Sequence, residues 1–330
     1  MQLFLSTWTH HLNHLVYSLF YHCQSNKIKF DIVYDETIAH NGARLLYDKS
    51  SVFFDYSDDS LFIENHQHYD CYFKRSLRQI DFNENIHPLN FNVPMTYKSH
   101  KMLFHLKPKL LFDKSSRVEV FRALDKYGWF SQSSHGILDI RRYPQKRIDS
   151  GGKVLFHTRL WNPDNHPDSE EKERRRLQND FRINACRIIK NNFKDSSVGI
   201  FADHLSCKIA PDILLDPKQS NKNNYLNTLL NYDIGIADDG LKDTPGWKIG
   251  EYLLYGKAVI TTPINVVLDD FKDSINYEAL SSRSAYTEIP DKIHLLLNNK
   301  KYLEQGINNF KWSDEYLHPK NYIQRILNKI

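Results

Sequence analysis

Two charged residues, Lys248 and Glu251, lie three positions apart in the segment GWKIGEYLLYGKAVITTP, which runs from Gly246 to Pro263. Residues three apart are neighbours on one face of a helix. A lysine in a first helical turn can hold an anion together with the backbone N–H groups there, and a carboxylate one turn later can accept hydrogen bonds from sugar hydroxyls. The spacing therefore predicts a phosphate-and-sugar site, although a surface Lys–Glu pair would produce the same pattern.

The loop DDGLKDTPG leads from an apolar strand, DIGIAD, into this helix. Ligands of open α/β sheets bind beyond the carboxyl ends of the strands, so the loop is expected at a binding edge. Gly240 and Gly246 would let the backbone approach a ligand closely, and Trp247 would begin the helix. We predict these three residues, with Lys248 and Glu251, to bind the ligand.

Motifs of several other enzyme classes are absent from the sequence. It contains no GxGxxG after the opening strand, no GxxxxGK[ST], no GxSxG, no HExxH and no Asp-x-Asp triplet. The four cysteines lack CxxC spacing, which argues against a zinc site and a disulfide framework. We therefore expect no metal and no cofactor, with basic side chains neutralising the phosphates.

The segment EYLLYGKAVI resembles the nucleotide-binding region of GT-B glycosyltransferases, whose helix has the form E-A-L-A-x-G-K-P-V-I. The resemblance places Glu251 at the ribose-binding glutamate and Lys248 near the diphosphate. It also places Asp243 at the first acidic residue of the E-x7-E pair of retaining members. KVLFHTRLWNP looks like the strand that opens the second domain of this class, with Arg159 as the residue that reaches the diphosphate.

The resemblance implies an α/β protein of GT-B architecture, with two Rossmann-like domains, a cleft between them and C-terminal helices. It implies transfer of a sugar from a nucleotide-sugar donor to a glycan or lipid-linked acceptor in bacterial-type surface polysaccharide assembly. Two alternatives remain open. One is another sugar-nucleotide enzyme of similar fold, such as an epimerase, and the other is a non-catalytic carbohydrate- or nucleotide-binding module.

Polar residues that follow the predicted strands of the first half are candidates for the acceptor side. His10 follows the first strand with two more histidines nearby, and a histidine there could remove a proton from an acceptor hydroxyl. Asp58 follows the third strand and is predicted as the general base, with His10 as the alternative. We predict that Asp55, Lys74 and Arg75 contact the acceptor or the phosphates. Helix-capping aspartates and a solvated Lys–Arg pair would give the same pattern.

Strands alternating with helices are predicted for both halves, which favours parallel sheets. In the first half the strands are expected in 2–5, 29–35, 51–59 and 70–75, with helices from Thr9 to Tyr21, over TIAHNGARLLY and in 118–126. The triplet Ser150-Gly151-Gly152 predicts a boundary between an acceptor-binding domain, 1–150, and a nucleotide-sugar-binding domain, 151–330. In the second half a long helix is expected over 169–192, and its charged run EEKERRRLQ is interpreted as a solvated helix start.

Charge and hydropathy limit the possible partners. The formal net charge is +4, and basic and acidic residues are interleaved, which argues against a nucleic-acid partner. A weakly basic face could still favour an anionic membrane surface. The opening QLFLST is short for a signal peptide, and no segment reaches the roughly 18 to 20 apolar residues that span a bilayer. A cytoplasmic protein is expected, either free or at the inner face of a membrane.

Overall fold

The computed structural model describes residues 1–125, 138–220, 222–240, 242 and 244–330. The chain divides into two units. Unit 1 comprises residues 1–143, 266–269 and 314–330, and unit 2 comprises residues 144–265 and 270–313. The sequence placed the division after residue 150 and assigned the whole C-terminal region to the second domain, whereas residues 314–330 here belong to unit 1.

Unit 1 contains a six-stranded sheet. Its strands are β1 (Gln2–Leu5), β2 (Asp31–Tyr34), β3 (Gly42–Tyr47), β4 (Ser50–Asp55), β5 (Cys71–Lys74) and β6 (Ile86–Pro88). Their order across the sheet is β2-β1-β3-β4-β5-β6. β3 pairs antiparallel with β1 and with β4, and the other neighbours pair in parallel. The other five strands therefore all end at one edge of the sheet.

The helix expected over TIAHNGARLLY is wrong, because the second half of this segment, Gly42–Tyr47, forms the antiparallel strand β3 and the first half is turn or irregular. A two-residue turn at Asp48 and Lys49 joins β3 to β4, with Tyr47 paired to Ser50. Asp48 adopts a left-handed conformation, with a φ of 52°, which a tight hairpin turn requires. Ala43 and Leu45 are fully buried, so alternate residues of the strand face the core. That period of two, together with the turn, identifies a strand rather than a helix.

Helices pack on this sheet. The helices of unit 1 are α1 (Asn13–Asn26), α2 (Ser99–Met102), α3 (Pro108–Phe112), α4 (Arg117–Leu124) and α12 (Pro319–Leu327). Two short strands, β7 (Met95–Thr96) and β8 (Leu138–Asp139), pair in parallel. α12 packs on α1, where the Tyr322 ring stacks on His14 at 4.3 Å between centroids. The Tyr322 hydroxyl also hydrogen-bonds with the Tyr56 hydroxyl at 2.7 Å. These buried contacts explain why the C-terminal helix belongs to unit 1.

Unit 2 contains a five-stranded parallel sheet. Its strands are β9 (Val154–Thr158), β10 (Ser196–Ile200), β11 (Ile234–Ala237), β12 (Ala258–Thr261) and β13 (Glu278–Ala279), in the order β10-β9-β11-β12-β13. The chain passes from β9 to β10 on one side of β9 and then crosses to β11 on the other side. This reversal creates a topological switch point between the carboxyl ends of β9 and β11, the usual ligand position in doubly wound sheets.

The helices of unit 2 include the long helix predicted over 169–192 and the helix predicted to begin at Trp247, together with two short helices, His204–Ile209 and Pro217–Ser220, that were not predicted. In chain order the helices of this unit are α5 (Ser169–Asn192), α6 (His204–Ile209), α7 (Pro217–Ser220), α8 (Lys222–Leu230), α9 (Trp247–Leu254), α10 (Ile289–Leu297) and α11 (Lys301–Tyr316). α5 packs Phe181, Ala185 and Ile189 against the sheet residue Phe156 in one core. The predicted α/β class, with a parallel-rich sheet in each half and C-terminal helices, is confirmed. None of the helices in the described part of the chain is long and apolar enough to cross a membrane.

Candidate functional sites

Close backbone packing fixes the start of α9 at the carboxyl end of β11. A Cβ atom on Gly246, the residue before α9, would lie 2.5 Å from the carbonyl oxygen of Asp238. A Cβ atom on Gly235, in β11, would lie 2.5 Å from the ring of Tyr252 on α9. No other residue fits at either position without a shift of the backbone or the ring. Trp247 and Lys248 therefore begin the helix directly beside the switch point.

The side chain of Lys248 extends from the first turn of α9 over strand β9. Its Nζ atom lies 5.8 Å from the centroid of the Phe156 ring. Burial and, to a lesser extent, the positive charge of Lys248 lower the pKa of the neighbouring His157 to about 4. Since both neighbours belong to β9, the ammonium group lies near the carboxyl end of the strand at which an anionic ligand would be expected.

Glu251 is only 3% exposed, which excludes the surface Lys–Glu pair that the spacing alone allowed. Its carboxylate lies close to the buried tyrosines Tyr225 and Tyr252. Burial raises the pKa of Tyr225 well above its usual value, and the neighbouring Tyr252 and Glu251 raise it further. The glutamate is therefore held among hydrogen-bonding hydroxyls inside unit 2, where the low dielectric strengthens any bond to its charge.

Arg159 follows β9 and provides a second positive charge at the switch point. Its side chain is exposed, and its guanidinium carbon lies 3.9 Å from the centroid of the Trp161 ring. Desolvation by the surrounding protein and the positive charge of Arg182 lower the pKa of Arg159, while Asp203 acts in the opposite direction. Stacking on Trp161 limits the directions in which this guanidinium can reach an anion.

Arg182, which was not predicted from the sequence, connects the loop after β9 with the loop after β11. From α5 its Nε donates to the Asp238 carboxylate at 2.7 Å, and its Nη1 donates to the Arg159 carbonyl at 2.7 Å. Arg182 is 7% exposed and Asp238 is 5% exposed. One buried ion pair thus positions Arg159 relative to the loop that leads to α9. The sequence feature that could have identified Arg182 is its position on the apolar face of α5, next to Phe181.

A second arginine contact holds the same loop. Arg174 donates to the Gly240 carbonyl at 2.9 Å and lies 3.8 Å from the Asp239 carboxylate, which also pairs with Arg283 at 3.1 Å. Burial and the neighbouring Asp238 raise the pKa of Asp239 to about 6.

The interpretation of EEKERRRLQ as a solvated helix start is wrong for its inward-facing residues, because Glu171 is 8% exposed and Gln178 is fully buried.

The predicted donor residues thus lie on the strands, loop and helix of one unit. Arg159, Gly246, Trp247 and Lys248 occupy the carboxyl edge of the unit 2 sheet, and Gly240 lies in the loop between β11 and α9. Glu251 follows one turn into the helix. Asp243 lies outside the described residues. In the part of the chain that is described, no group of three or more His, Cys, Asp and Glu side chains has a metal-binding arrangement.

Unit 1 brings together polar residues that follow four of its strands. Arg75, after β5, pairs with the Asp58 carboxylate at 2.6 Å and lies 3.4 Å from Nδ1 of His11. The ring of His11 lies 4.2 Å from that of His10, and the His11 carbonyl accepts a hydrogen bond from Asn92. Partial burial lowers the pKa of His10, so this imidazole is neutral at neutral pH. The cluster combines proton-accepting groups with a guanidinium.

Asp55 and Lys74 do not belong to this cluster. Both side chains are 0% exposed and form an ion pair of 2.8 Å. Asp55 also accepts from the Tyr72 hydroxyl at 2.9 Å, and Lys74 donates to the Leu61 carbonyl at 2.9 Å. The expectation that these residues contact an acceptor or phosphate is therefore corrected, because their bonds are made within the protein core. They join β4 to β5 beneath the polar cluster.

The substitution Lys74→Met is expected to lower the free energy of unfolding by about 3–5 kcal/mol, because it leaves the Asp55 charge buried without its cation. Chemical denaturation measures this change. Lys29→Met is the matched control, since Lys29 pairs with Asp31 at 3.5 Å but is 87% exposed. The control is expected to change stability by less than about 1 kcal/mol. Equal effects of the two substitutions would contradict the structural role of Lys74.

Comparison with known proteins gave three findings. No protein-family model matches the chain, and no curated protein matches it. Solved structures do match. The C-terminal domain of a Francisella tularensis group 1 glycosyl transferase, LpcC, is 14% identical, with a TM-score of 0.36, covering 53% of this chain and 95% of that one.

Two further matches cover more of this chain. S. aureus TarM, solved with UDP and alpha-GlcNAc-glycerol, is 14% identical with a TM-score of 0.40, and the match covers 78% of this chain and 50% of TarM. A Rickettsia africae glycosyltransferase is 10% identical with a TM-score of 0.44, covering 96% of this chain and 79% of that one. All three of these solved structures are glycosyltransferases. Because these TM-scores lie below 0.5, the likeness identifies no site residue.

Proposed function

We propose that this chain is a glycosyltransferase that moves a sugar from a nucleotide-sugar donor to a glycan or lipid-linked acceptor, in the cytoplasm. The observation that carries the proposal is the pair of cations at the switch point of the unit 2 sheet. Lys248 and Arg159 lie at the ends of adjacent elements there, and buried Glu251 follows one helical turn later. A nucleoside diphosphate combines negative charges for the two cations with adjacent ribose hydroxyls for the carboxylate.

The two cations and the start of α9 have the chemistry needed for a leaving diphosphate. The first N–H groups of a helix lack intrahelical acceptors and carry a partial positive charge. Together with Lys248 and Arg159 they would stabilise the charge that develops as the sugar–phosphate bond breaks. Loss of one donor from comparable anion sites costs about 3–4 kcal/mol. These protein groups would replace a metal ion, so we propose a metal-independent reaction.

Glu251 is proposed to bind the ribose. A carboxylate can accept hydrogen bonds from both ribose hydroxyls, and bonds to a charged acceptor are stronger than those between neutral groups. The burial of Glu251 among tyrosines keeps bulk water from competing for the carboxylate. This residue would therefore distinguish a nucleotide from a simple phosphate.

Unit 1 is proposed to supply the general base. Asp58 is accessible at 22% of its side chain, and its pairing with Arg75 holds the carboxylate in one orientation. A carboxylate so placed could accept the proton of an acceptor hydroxyl. His10, neutral because burial lowers its pKa, is the alternative base. Arg75 would orient the aspartate rather than react itself.

A thermal-shift screen of nucleoside diphosphates and nucleotide-sugars tests the proposal. A ligand that binds only the folded protein raises its melting temperature, by an amount that grows with concentration above the Kd. At least one such compound is expected to stabilise the protein, whereas the matching nucleoside without phosphates is not. The absence of any shift across the common bases would overturn the proposal.

Product release then separates transfer from the two alternatives. A transferase is expected to release nucleoside diphosphate faster when an acceptor glycan is added. An epimerase would change the sugar and release no nucleoside diphosphate, and a binding module would leave the nucleotide-sugar intact.

A further inference from the structure

A helical cluster in unit 1 carries two of the most exposed aromatic side chains in the described chain. The cluster comprises α2, the 3-10 turn Leu103–His105, α3 and α4, which pack on one another. Its interior is ordinary, with Met102 and Leu110 fully buried. Phe104 is nevertheless 88% exposed and Phe112 is 84% exposed. Two phenylalanines with that exposure on neighbouring elements indicate a surface that is covered in use.

The cluster is fixed to the edge of the unit 1 sheet. Leu106 forms a parallel bridge with Ile32 in the edge strand β2. Nδ1 of His105 lies 2.8 Å from the Phe30 carbonyl oxygen, and Lys109 lies over the Tyr34 ring at 4.8 Å. These contacts hold the segment between the two exposed phenylalanines. Phe104 and Phe112 are therefore presented by an anchored surface.

The acidic side chains of the cluster are bonded to other protein groups, and the exposed charges are basic. The carboxylate of Asp113 accepts from Thr7 at 2.9 Å and from Ser116 at 2.8 Å. Glu119 is 4% exposed and accepts from Asn13 at 2.8 Å. The exposed charged residues of the cluster are basic: Lys101, Lys107, Lys109, Lys114 and Arg117. Its outer surface therefore combines aromatic rings with positive charge.

We propose that this cluster docks the chain on an anionic lipid bilayer. Phe104 and Phe112 enter the boundary between head groups and acyl chains, and the basic residues contact lipid phosphates. Aromatic residues with flanking lysines on a helical surface are the usual composition of such interfaces, and both parts add to the affinity. A second copy of this chain fits less well, because two such faces would bring like charges together. The inference does not depend on the proposed activity.

Vesicle co-sedimentation of the full chain tests the inference. We expect binding to vesicles of phosphatidylcholine with phosphatidylglycerol, little binding to phosphatidylcholine alone, and weaker binding as salt is raised. The double variants Phe104→Ser/Phe112→Ser and Lys107→Glu/Lys114→Glu are each expected to reduce partitioning about tenfold or more. All four side chains are exposed, so the melting temperatures are expected to stay unchanged. Ile80→Ser is the matched control, because Ile80 is 88% exposed in unit 1 outside the cluster.

Three results would overturn the inference. One is equal binding to charged and neutral vesicles, or binding to neither. Another is unchanged partitioning of either double variant. The third is reversible self-association of the wild-type chain, seen by sedimentation velocity and abolished by Phe104→Ser/Phe112→Ser, which would assign the surface to a second copy of the chain.

Discussion

Glu251→Gln is expected to weaken binding of a nucleoside diphosphate roughly 10- to 100-fold while leaving binding of inorganic pyrophosphate unchanged. The substitution keeps the size of the side chain and removes its charge. Hydrogen bonds to a charged partner contribute about 1.5–3 kcal/mol, which corresponds to that range of affinity. Pyrophosphate has no ribose, so it does not need the carboxylate. Isothermal titration calorimetry with both ligands measures the difference.

Lys248→Met provides the complementary result, because the ammonium group is proposed to bind phosphate rather than sugar. It is expected to weaken binding of both ligands by a similar factor. Glu304→Gln is the matched control for Glu251→Gln, since Glu304 is an exposed glutamate of α11 in unit 2. Two results would instead assign Glu251 a structural role beside Tyr225 and Tyr252. One is an equal loss of affinity for nucleotide and pyrophosphate in Glu251→Gln, and the other is a lower melting temperature with no difference between the two ligands.

Asp58→Asn is expected to reduce the turnover number about 10²- to 10⁴-fold, the usual contribution of a general base. An amide cannot accept the proton of an acceptor hydroxyl. Nucleotide affinity is expected to stay unchanged, because the donor residues belong to unit 2. Steady-state kinetics with saturating donor, together with calorimetry of nucleotide binding, separates the two effects.

Asp59→Asn is the matched control for this experiment. Asp59 is the next residue, and its carboxylate accepts a hydrogen bond from the Leu61 backbone within the same loop. It is expected to keep near-normal turnover. Full activity of Asp58→Asn would exclude that residue as the base, and His10→Ala would then be expected to show the loss.

Most of unit 2 could be predicted from the sequence, but its short elements α6, α7 and β13 were not, and unit 1 was predicted only in part. Strands β9, β11 and β12 of unit 2 are buried along their whole length, so each reads as a short, largely apolar run bounded by turn residues. The helix that carries Lys248 and Glu251 was predicted from its apolar period and the glycine before it. In unit 1 the hairpin strand β3 was predicted as a helix, because two adjacent leucines, Leu45 and Leu46, fit either period over so short a segment.

The sequence alone determined which candidate residues share an element: Lys248 and Glu251 on one helix, and Arg159 at the end of a strand. Those relations depend on local spacing, which backbone geometry converts directly into position. Only the tertiary structure decided which charges remain available to a ligand. Arg182 meets Asp238 and Lys74 meets Asp55 across long stretches of chain, so no local pattern could distinguish these buried pairs from Asp58 and Arg159, which stay accessible. Whether a charged side chain can bind a ligand depends on ion-pair partners that come into contact with it only in the folded chain.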